Sequence, residues 1–321
     1  MIDDPILLND WHVVAKACDL GDAPKGVRLL GRQIVLWRNS DGVHAWRDLC
    51  LHRGAQLSLG RTTNNCLACP YHGWEYNGSG QCVRIPAHPD QPPPAKAQTT
   101  VYAVQEKYGL IWVCLGTPPQ SIPGFAEGDD PSFRKVIAGP YLFRAHGTRV
   151  VENGLDVAHF PFVHAGYLGD PSRTEIGDYE VEVSAEGLLV KDIPAWQPDP
   201  DGTGCPATVH YTFRVPRPLI LSFRKLHEGK CFSIFAAVTP VADLESVSWL
   251  IIALNYATET SDEELVRFQD AVSHQDIPVV ESQRPEQLPL DLQAELHLRS
   301  DRAAIAYRQW LKTLGLRHGT A

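Results

Sequence analysis

The sequence predicts an α+β protein made of two successive units. Three observations carry that reading. The first third holds short apolar runs of β-type composition between turn residues, with no useful helical period before residue 118. A Pro/Gly-rich passage then opens at Thr117-Pro118-Pro119 and continues to about Pro140. Beyond it, a series of strand signals is followed by two segments with helix start and stop signals. The expected domains are residues 1–118, all-β, and residues 119–321, an antiparallel sheet with helices packed on it.

Along the first domain, WHVVAKA, VRLLGRQIVLWR and VHAWRDL read as strands, and VYAVQEKYGLIWVCLG as a hairpin turning near Tyr108-Gly109. The Pro-rich run PDQPPPAK, residues 89–96, reads as a loop, because the strand pair completing the sheet follows it. In the second domain, residues 145–160 read as a helix broken at Pro161. YEVEVSAEGLLV, TVHYTFRV, LILSFRKL, CFSIFAAV and SVSWLIIALNYA read as strands. Ser261 and Glu264 form a capping box for a helix reaching about Gln283. A last helix starts near Ser300 and stops before Gly315.

Composition excludes some partners. A net charge of −9 argues against nucleic acid and anionic membrane surfaces. The longest apolar stretches, such as 249–257, are too short to span a bilayer, and no basic region followed by an apolar one opens the sequence. Eight cysteines without a paired framework suit a reducing compartment, so a cytoplasmic protein is expected. Cys18, Cys66, Cys82, Cys114, Cys205 and Cys231 are expected to be small buried hydrophobes.

The other two cysteines belong to a motif. Cys50-x-His52 and Cys69-x-x-His72 are separated by sixteen residues. Two Cys/His pairs at that spacing can hold one [2Fe–2S] cluster, thiolates on one iron and imidazoles on the other; neutral histidines raise its reduction potential. The competing zinc reading needs a second Cys-x-x-Cys knuckle to match Cys66-x-x-Cys69, and the sequence has none.

A second set lies in VVENGLDVAHFPFVH, residues 150–164, where Asn153 precedes Asp156-x-x-His159-x-x-x-x-His164. Two imidazoles and a carboxylate on one face of a metal make the triad of non-haem Fe(II) oxygenases, with positions left open for O₂. Asp156 and His159 would share a helix face. A further carboxylate should come from the helix opened by Ser261, which offers Asp270, Asp276 and Glu281. Asp276 sits beside Ile277, Val279 and Val280 and could face a cavity, whereas Asp270 and Glu281 read as solvated charge.

With both motifs in view, the chain resembles the α (oxygenase) subunit of Rieske non-haem iron oxygenases. CLHRG and CPYHGW are similar to that family's cluster loops, residues 153–164 to its iron motif, and QDIPVVESQ to the segment supplying an aspartate ligand. The similarity runs nearly end to end. It is strongest to the monooxygenase branch with saxitoxin-pathway hydroxylases, caffeine N-demethylases and dicamba O-demethylase. The resemblance implies a Rieske domain followed by a helix-grip domain, with Cys50, His52, Cys69 and His72 on the cluster and His159, His164 and Asp276 on Fe(II). Asp156 would be a conduit linking a ligand histidine of its own subunit to His72 of the next in a head-to-tail homotrimer. The implied reaction uses O₂ and electrons from a separate NAD(P)H-dependent flavin and ferredoxin-type reductase to hydroxylate or N-/O-demethylate a small cyclic or heterocyclic substrate. No Gly-x-Gly-x-x-Gly follows a strand, so the chain has no visible nucleotide fold of its own. Two rivals stay open: a cis-dihydroxylating arene dioxygenase, although Asn153-x-x-Asp156 and the short chain favour monooxygenation, and a non-catalytic Rieske electron carrier.

Overall fold

A computed structural model of the chain describes residues 1–118, 120–257 and 259–321. The chain divides into two compact units, Met1–Ser121 and Ile122–Ala321. The boundary expected after residue 118 abuts Pro119, which lies outside the described residues. No described helix is long and apolar enough to cross a membrane.

The first unit opens with a helical turn, α1 (Pro5–Leu8), capped by the Asp4 carboxylate. Its strands are β1 (His12–Lys16), β2 (Lys25–Leu29), β3 (Arg32–Asn39), β4 (Gly42–Arg47), β5 (Arg61–Thr63), β6 (Cys66–Ala68), β7 (Glu75–Tyr76), β8 (Cys82–Arg84), β9 (Val101–Lys107) and β10 (Leu110–Cys114). They form a six-stranded sheet, β1-β10-β9-β4-β3-β2, and a four-stranded one, β5-β6-β7-β8. Two-residue turns at Leu30-Gly31 and Tyr108-Gly109 join β2 to β3 and β9 to β10. All four turn residues have positive φ, as the turn twist of a tight hairpin requires. The VRLLGRQIVLWR segment is therefore a hairpin. Ile34 to Trp37 of β3 are fully buried, and the Trp37, Trp46 and Tyr76 side chains close the core beneath Cys50 and Cys69.

The second unit contains α2 (Ala126–Asp129), β11 (Arg134–Phe143), α3 (Gly147–Leu155), α4 (Phe160–Val163), β12 (Glu180–Ser184), β13 (Gly187–Gln197), β14 (Ala207–Arg217), β15 (Ile220–His227), β16 (Lys230–Ala242), β17 (Glu245–Leu254), α5 (Asp262–Ser282) and α6 (Arg302–Leu314). One antiparallel sheet runs β11-β17-β16-β15-β14-β13-β12. Strand β14 shows the expected period of two: Val209, Tyr211, Phe213 and Val215 are buried on one face. A buried ion network ties α3 to α6. The Arg308 guanidinium donates to both carboxylate oxygens of Glu152, at 2.6 and 2.8 Å, and Arg149 and Arg308 share Glu295.

Several expectations need correction. The helix expected over 145–160 ends at Leu155, and Asp156 is its C-cap. Pro161 does not break it but sits in the first turn of α4, where a missing N–H costs nothing. Asp156 and His159 therefore meet across a connection rather than along a helix face. YEVEVSAEGLLV is two strands, β12 and β13, and β11 runs through the passage read as a connector. There Gly139-Pro140, a turn signal, is absorbed as a register shift between Ala138 and Tyr141. Cys82, Cys114 and Cys231 are buried as expected and Cys66 is half-buried, but Cys18 and Cys205 are exposed. The capping box at Ser261 and the end of α6 at Gly315 form where expected.

Candidate metal centres

In the first unit, CLHRGA and CPYHGW fold into two equivalent loops. The Cys50 amide donates to the Ala55 carbonyl and the Gly54 amide donates back to the Cys50 carbonyl; Cys69, Trp74 and Gly73 repeat both bonds. Gly54 and Gly73 have φ of +72° and +67°, which a side chain would strain. Each loop so presents a cysteine inward and a histidine outward. Cys50 and Cys69 are 2% and 1% exposed, whereas His52 is half-buried and His72 exposed. The His52 and His72 Nδ1 atoms converge to 3.1 Å. Trp74 stacks on His52 at 4.8 Å and 6°, fixing that ring.

The donor set fits a [2Fe–2S] cluster. Two buried sulfurs and two converging imidazole nitrogens are the two thiolates and two imidazoles that such a cluster would take. The Tyr76 hydroxyl lies 3.3 Å from Cys50 Sγ, where it can donate to a thiolate. Burial raises the Cys69 thiol pKa, favouring the neutral thiol in the loop by itself.

In the second unit, α3, α4 and α5 bring the other residues together. His159 and His164 flank α4, and Asp276 projects from α5. Their Nε2 atoms are 3.2 Å apart, and Asp276 Oδ1 lies 3.4 Å from His159 Nε2 and 3.1 Å from His164 Nε2. These three can hold one metal ion. The surroundings agree. His164 Nδ1 donates to Gln275 Oε1 at 2.8 Å, so its Nε2 keeps a lone pair for a metal. Burial works against protonation of His164, but the hydrogen bond and charge of Asp276 and the hydrogen bond of Gln275 outweigh it and raise the pKa. Phe160 packs against both imidazoles.

Asn153 and Asp156 stand around this triad. The Asn153 Nδ2 donates to Asp276 Oδ1 at 3.4 Å. Asp156 Oδ2 lies 3.5 Å from His159 Nδ1, while its Oδ1 accepts from the Ala158 amide at 2.7 Å. The Asp156 side chain is 42% exposed. The other carboxylates weighed on α5 are not free charge, contrary to expectation: Asp270 accepts from the Tyr141 hydroxyl and Glu281 from the Arg144 amide.

A cavity of about 640 Å³ opens beside the triad. Phe160, Tyr211, Phe213, Phe223 and Phe232 give it an aromatic wall, and Lys225 lines it as well. Sequence reasoning missed Gln275, Phe160 and the cavity residues. Gln275 adjoins Asp276, and the alternation of TVHYTFRV marks Tyr211 and Phe213 as one face, but neither signal says what that face meets.

Comparison with known proteins agrees with this geometry. Residues 10–103 match the Rieske [2Fe-2S] domain and residues 143–317 the vanillate O-demethylase oxygenase C-terminal domain. The chain is 35% identical to methylxanthine N1-demethylase NdmA of Pseudomonas putida, across 97% of this chain and 90% of that protein. The structure of NdmA from P. putida CBB5 with caffeine superposes with a TM-score of 0.82 at 32% identity, covering 96% of this chain and 91% of that one. Dicamba monooxygenase bound to dicamba gives 0.81 at 26% identity, covering 96% and 97%. The chain belongs to the Rieske non-haem iron oxygenases, in the branch of monooxygenases and demethylases, and its cofactors are a [2Fe–2S] cluster and mononuclear Fe(II).

Proposed function

We propose that this Rieske oxygenase demethylates a small planar heterocycle, with His159, His164 and Asp276 holding Fe(II) and Cys50, His52, Cys69 and His72 holding the cluster. The observation that carries the reading is the convergence of two imidazoles and one carboxylate at the wall of an aromatic cavity. Bound there, Fe(II) supplies reductive O₂ activation: one oxygen atom enters a methyl C–H bond, the other leaves as water, and two electrons and two protons are consumed. The hydroxymethyl product on nitrogen or oxygen then releases formaldehyde.

The chain's own residues have separate roles in this reading. Gln275 fixes the tautomer and orientation of His164. Asn153 donates to the Asp276 oxygen that faces both histidines, restraining the carboxylate. Asp156 approaches His159 from the opposite side of the ring, with Oδ2 3.5 Å from Nδ1, where it could orient the imidazole. Its exposed carboxylate supports the conduit role, in which a head-to-tail homotrimer brings the partner subunit's His72 against Asp156. The exposure of His72 is compatible with that contact. Electrons come from a separate NAD(P)H-dependent flavin and ferredoxin-type reductase, since the sequence carries no dinucleotide motif of its own. The reducing cytoplasm is the compartment that suits the unpaired cysteines.

The test is turnover of N-methylated heterocycles, caffeine among them, with a surrogate reductase, NADH and ¹⁸O₂. Formaldehyde and demethylated product in equal amounts are expected. A cis-diol carrying both atoms of one O₂ would instead make the enzyme a dioxygenase.

A further inference from the structure

Away from the triad, two residues of the cavity wall, Tyr211 and Lys225, belong to a buried polar chain. Tyr211 on β14 and Lys225 on β15 are direct cross-strand partners, and Gln197 ends the neighbouring strand β13. All three are buried, at 3%, 9% and 1% exposure. Lys225 Nζ donates to Gln197 Oε1 at 3.1 Å and to the Pro200 carbonyl at 2.6 Å. Gln197 Nε2 donates to the Tyr211 hydroxyl at 2.8 Å.

The order of donors in this chain is fixed by chemistry. An ammonium can only donate, so the Gln197 oxygen must face Lys225 and its NH₂ must face Tyr211. The phenol oxygen is thereby an acceptor from Gln197, and its own proton is left to donate. Among the described residues no acceptor for that proton is found. Each link polarises the next, so the terminal O–H is a better donor than an isolated phenol. Stacking on Phe213, with centroids 5.7 Å apart and planes at 15°, holds the ring. Phe160 lies 5.8 Å from the Tyr211 ring and 5.0 Å from that of His159, so the phenol is one aromatic ring removed from the triad.

We infer that Tyr211 is a specificity-determining residue whose hydroxyl donates to a carbonyl oxygen of a planar ring substrate, with Gln197 and Lys225 as the positioning residues that aim it. The inference rests on the demethylase reading and narrows its substrate class. A neutral carbonyl fits better than a carboxylate, because Asp199 lines the same cavity and brings negative charge to the Lys225 end, whereas Asp201 is paired with Lys230. Desolvation lowers the Lys225 pKa to about 8 against the opposing charges of Asp201 and Asp199, and its two oxygen partners hold the ammonium in place. An acceptor on Tyr211 completes the chain, whereas a substrate without one buries an unpaired O–H. Aromatic walls together with this donor give both shape selection and a fixed orientation, turning one edge of the ring toward the metal.

The experiment is equilibrium binding to holoenzyme without reductant, by titration calorimetry, so that no turnover is needed. The probes are N-methylquinolone and its thione analogue, which share a shape but differ in acceptor strength. Wild type is expected to prefer the carbonyl probe by roughly tenfold, as one hydrogen bond allows. Tyr211→Phe should erase the preference while leaving the thione's affinity within about twofold. Gln197→Leu and Lys225→Met should each reduce the preference without changing thione binding, which a merely structural role would not do. Equal binding of the two probes by wild type, or a preference that survives in Tyr211→Phe, overturns the inference. Should Tyr211→Phe not fold, Gln197→Leu decides: an unchanged preference there overturns the relay. Failure of wild type to release formaldehyde from any substrate, with the preference intact, would count against the demethylase reading alone.

Discussion

The residues proposed to hold the cluster come from two turns close in sequence, with His52 and His72 only 20 residues apart. The iron triad is assembled across the chain, with His164 and its partner Gln275 separated by 111 residues and Asn153 and Asp276 by 123. The first site is shaped by backbone: two loops with the same pair of hydrogen bonds and a glycine of positive φ in each. The second is shaped by packing, because Asp276 reaches the histidines only if α5 lies against β11 and α3. Locally encoded sites tolerate damage to distant packing, and assembled sites do not.

Substitutions can break or sharpen this contrast. His159→Ala removes a proposed ligand from the assembled site, and turnover should fall on the order of 10³-fold or more while the cluster's visible spectrum persists. Loss of the spectrum would show that the sites are not separate. Glu152→Ala leaves Arg308 buried without its main partner at the α3–α6 contact, at a cost of about 3–5 kcal/mol. Thermal denaturation should then show earlier unfolding and iron loss in the second unit, with the cluster signal lost only later. A single coincident transition would oppose the contrast.

Asp156→Asn should keep both metals and slow turnover by roughly 10- to 100-fold, the range for a group that orients a metal ligand. Stopped-flow reoxidation of the reduced cluster in the presence of substrate would measure it, and an unchanged rate would remove Asp156 from the conduit. The smallest effect is expected for Gly73→Ala. Positive φ costs about 1–2 kcal/mol for a residue with Cβ, and the new methyl would sit 3.2 Å from Pro86 Cγ. Cluster occupancy should drop while iron in the triad stays constant; the reverse pattern would contradict the local encoding of the loops.

The same contrast governs what could be read from sequence. In CLHRGA and CPYHGW, residue type, spacing and turn glycine sit together within a few residues, so the proposed ligands and the loop geometry are legible together. His159 and His164 were legible as a pair for the same reason. Asp276 was not separable from Asp270 and Glu281 by spacing, since what distinguishes them is which partner each meets. Tyr141 and the Arg144 amide engage the other two, and both partners lie on or just after β11, the strand hidden by its Gly139-Pro140 step. The break expected at Pro161 failed because proline is unfavourable inside a helix yet suited to its first turn, and only the cap at Asp156 tells which applies. Strand alternation places Tyr211 and Phe213 on one face of a strand without saying what that face meets, and the link of Tyr211 to Gln197 and Lys225 depends on register across three strands.

Quantifying iron, zinc and acid-labile sulfide in wild type and Asp276→Ala tests most directly whether two metal centres coexist. The account predicts about three irons and about two sulfides per wild-type chain, and about two irons with unchanged sulfide in the variant. Zinc in the first unit, or a wild-type chain that takes up no iron beyond its cluster, would contradict it.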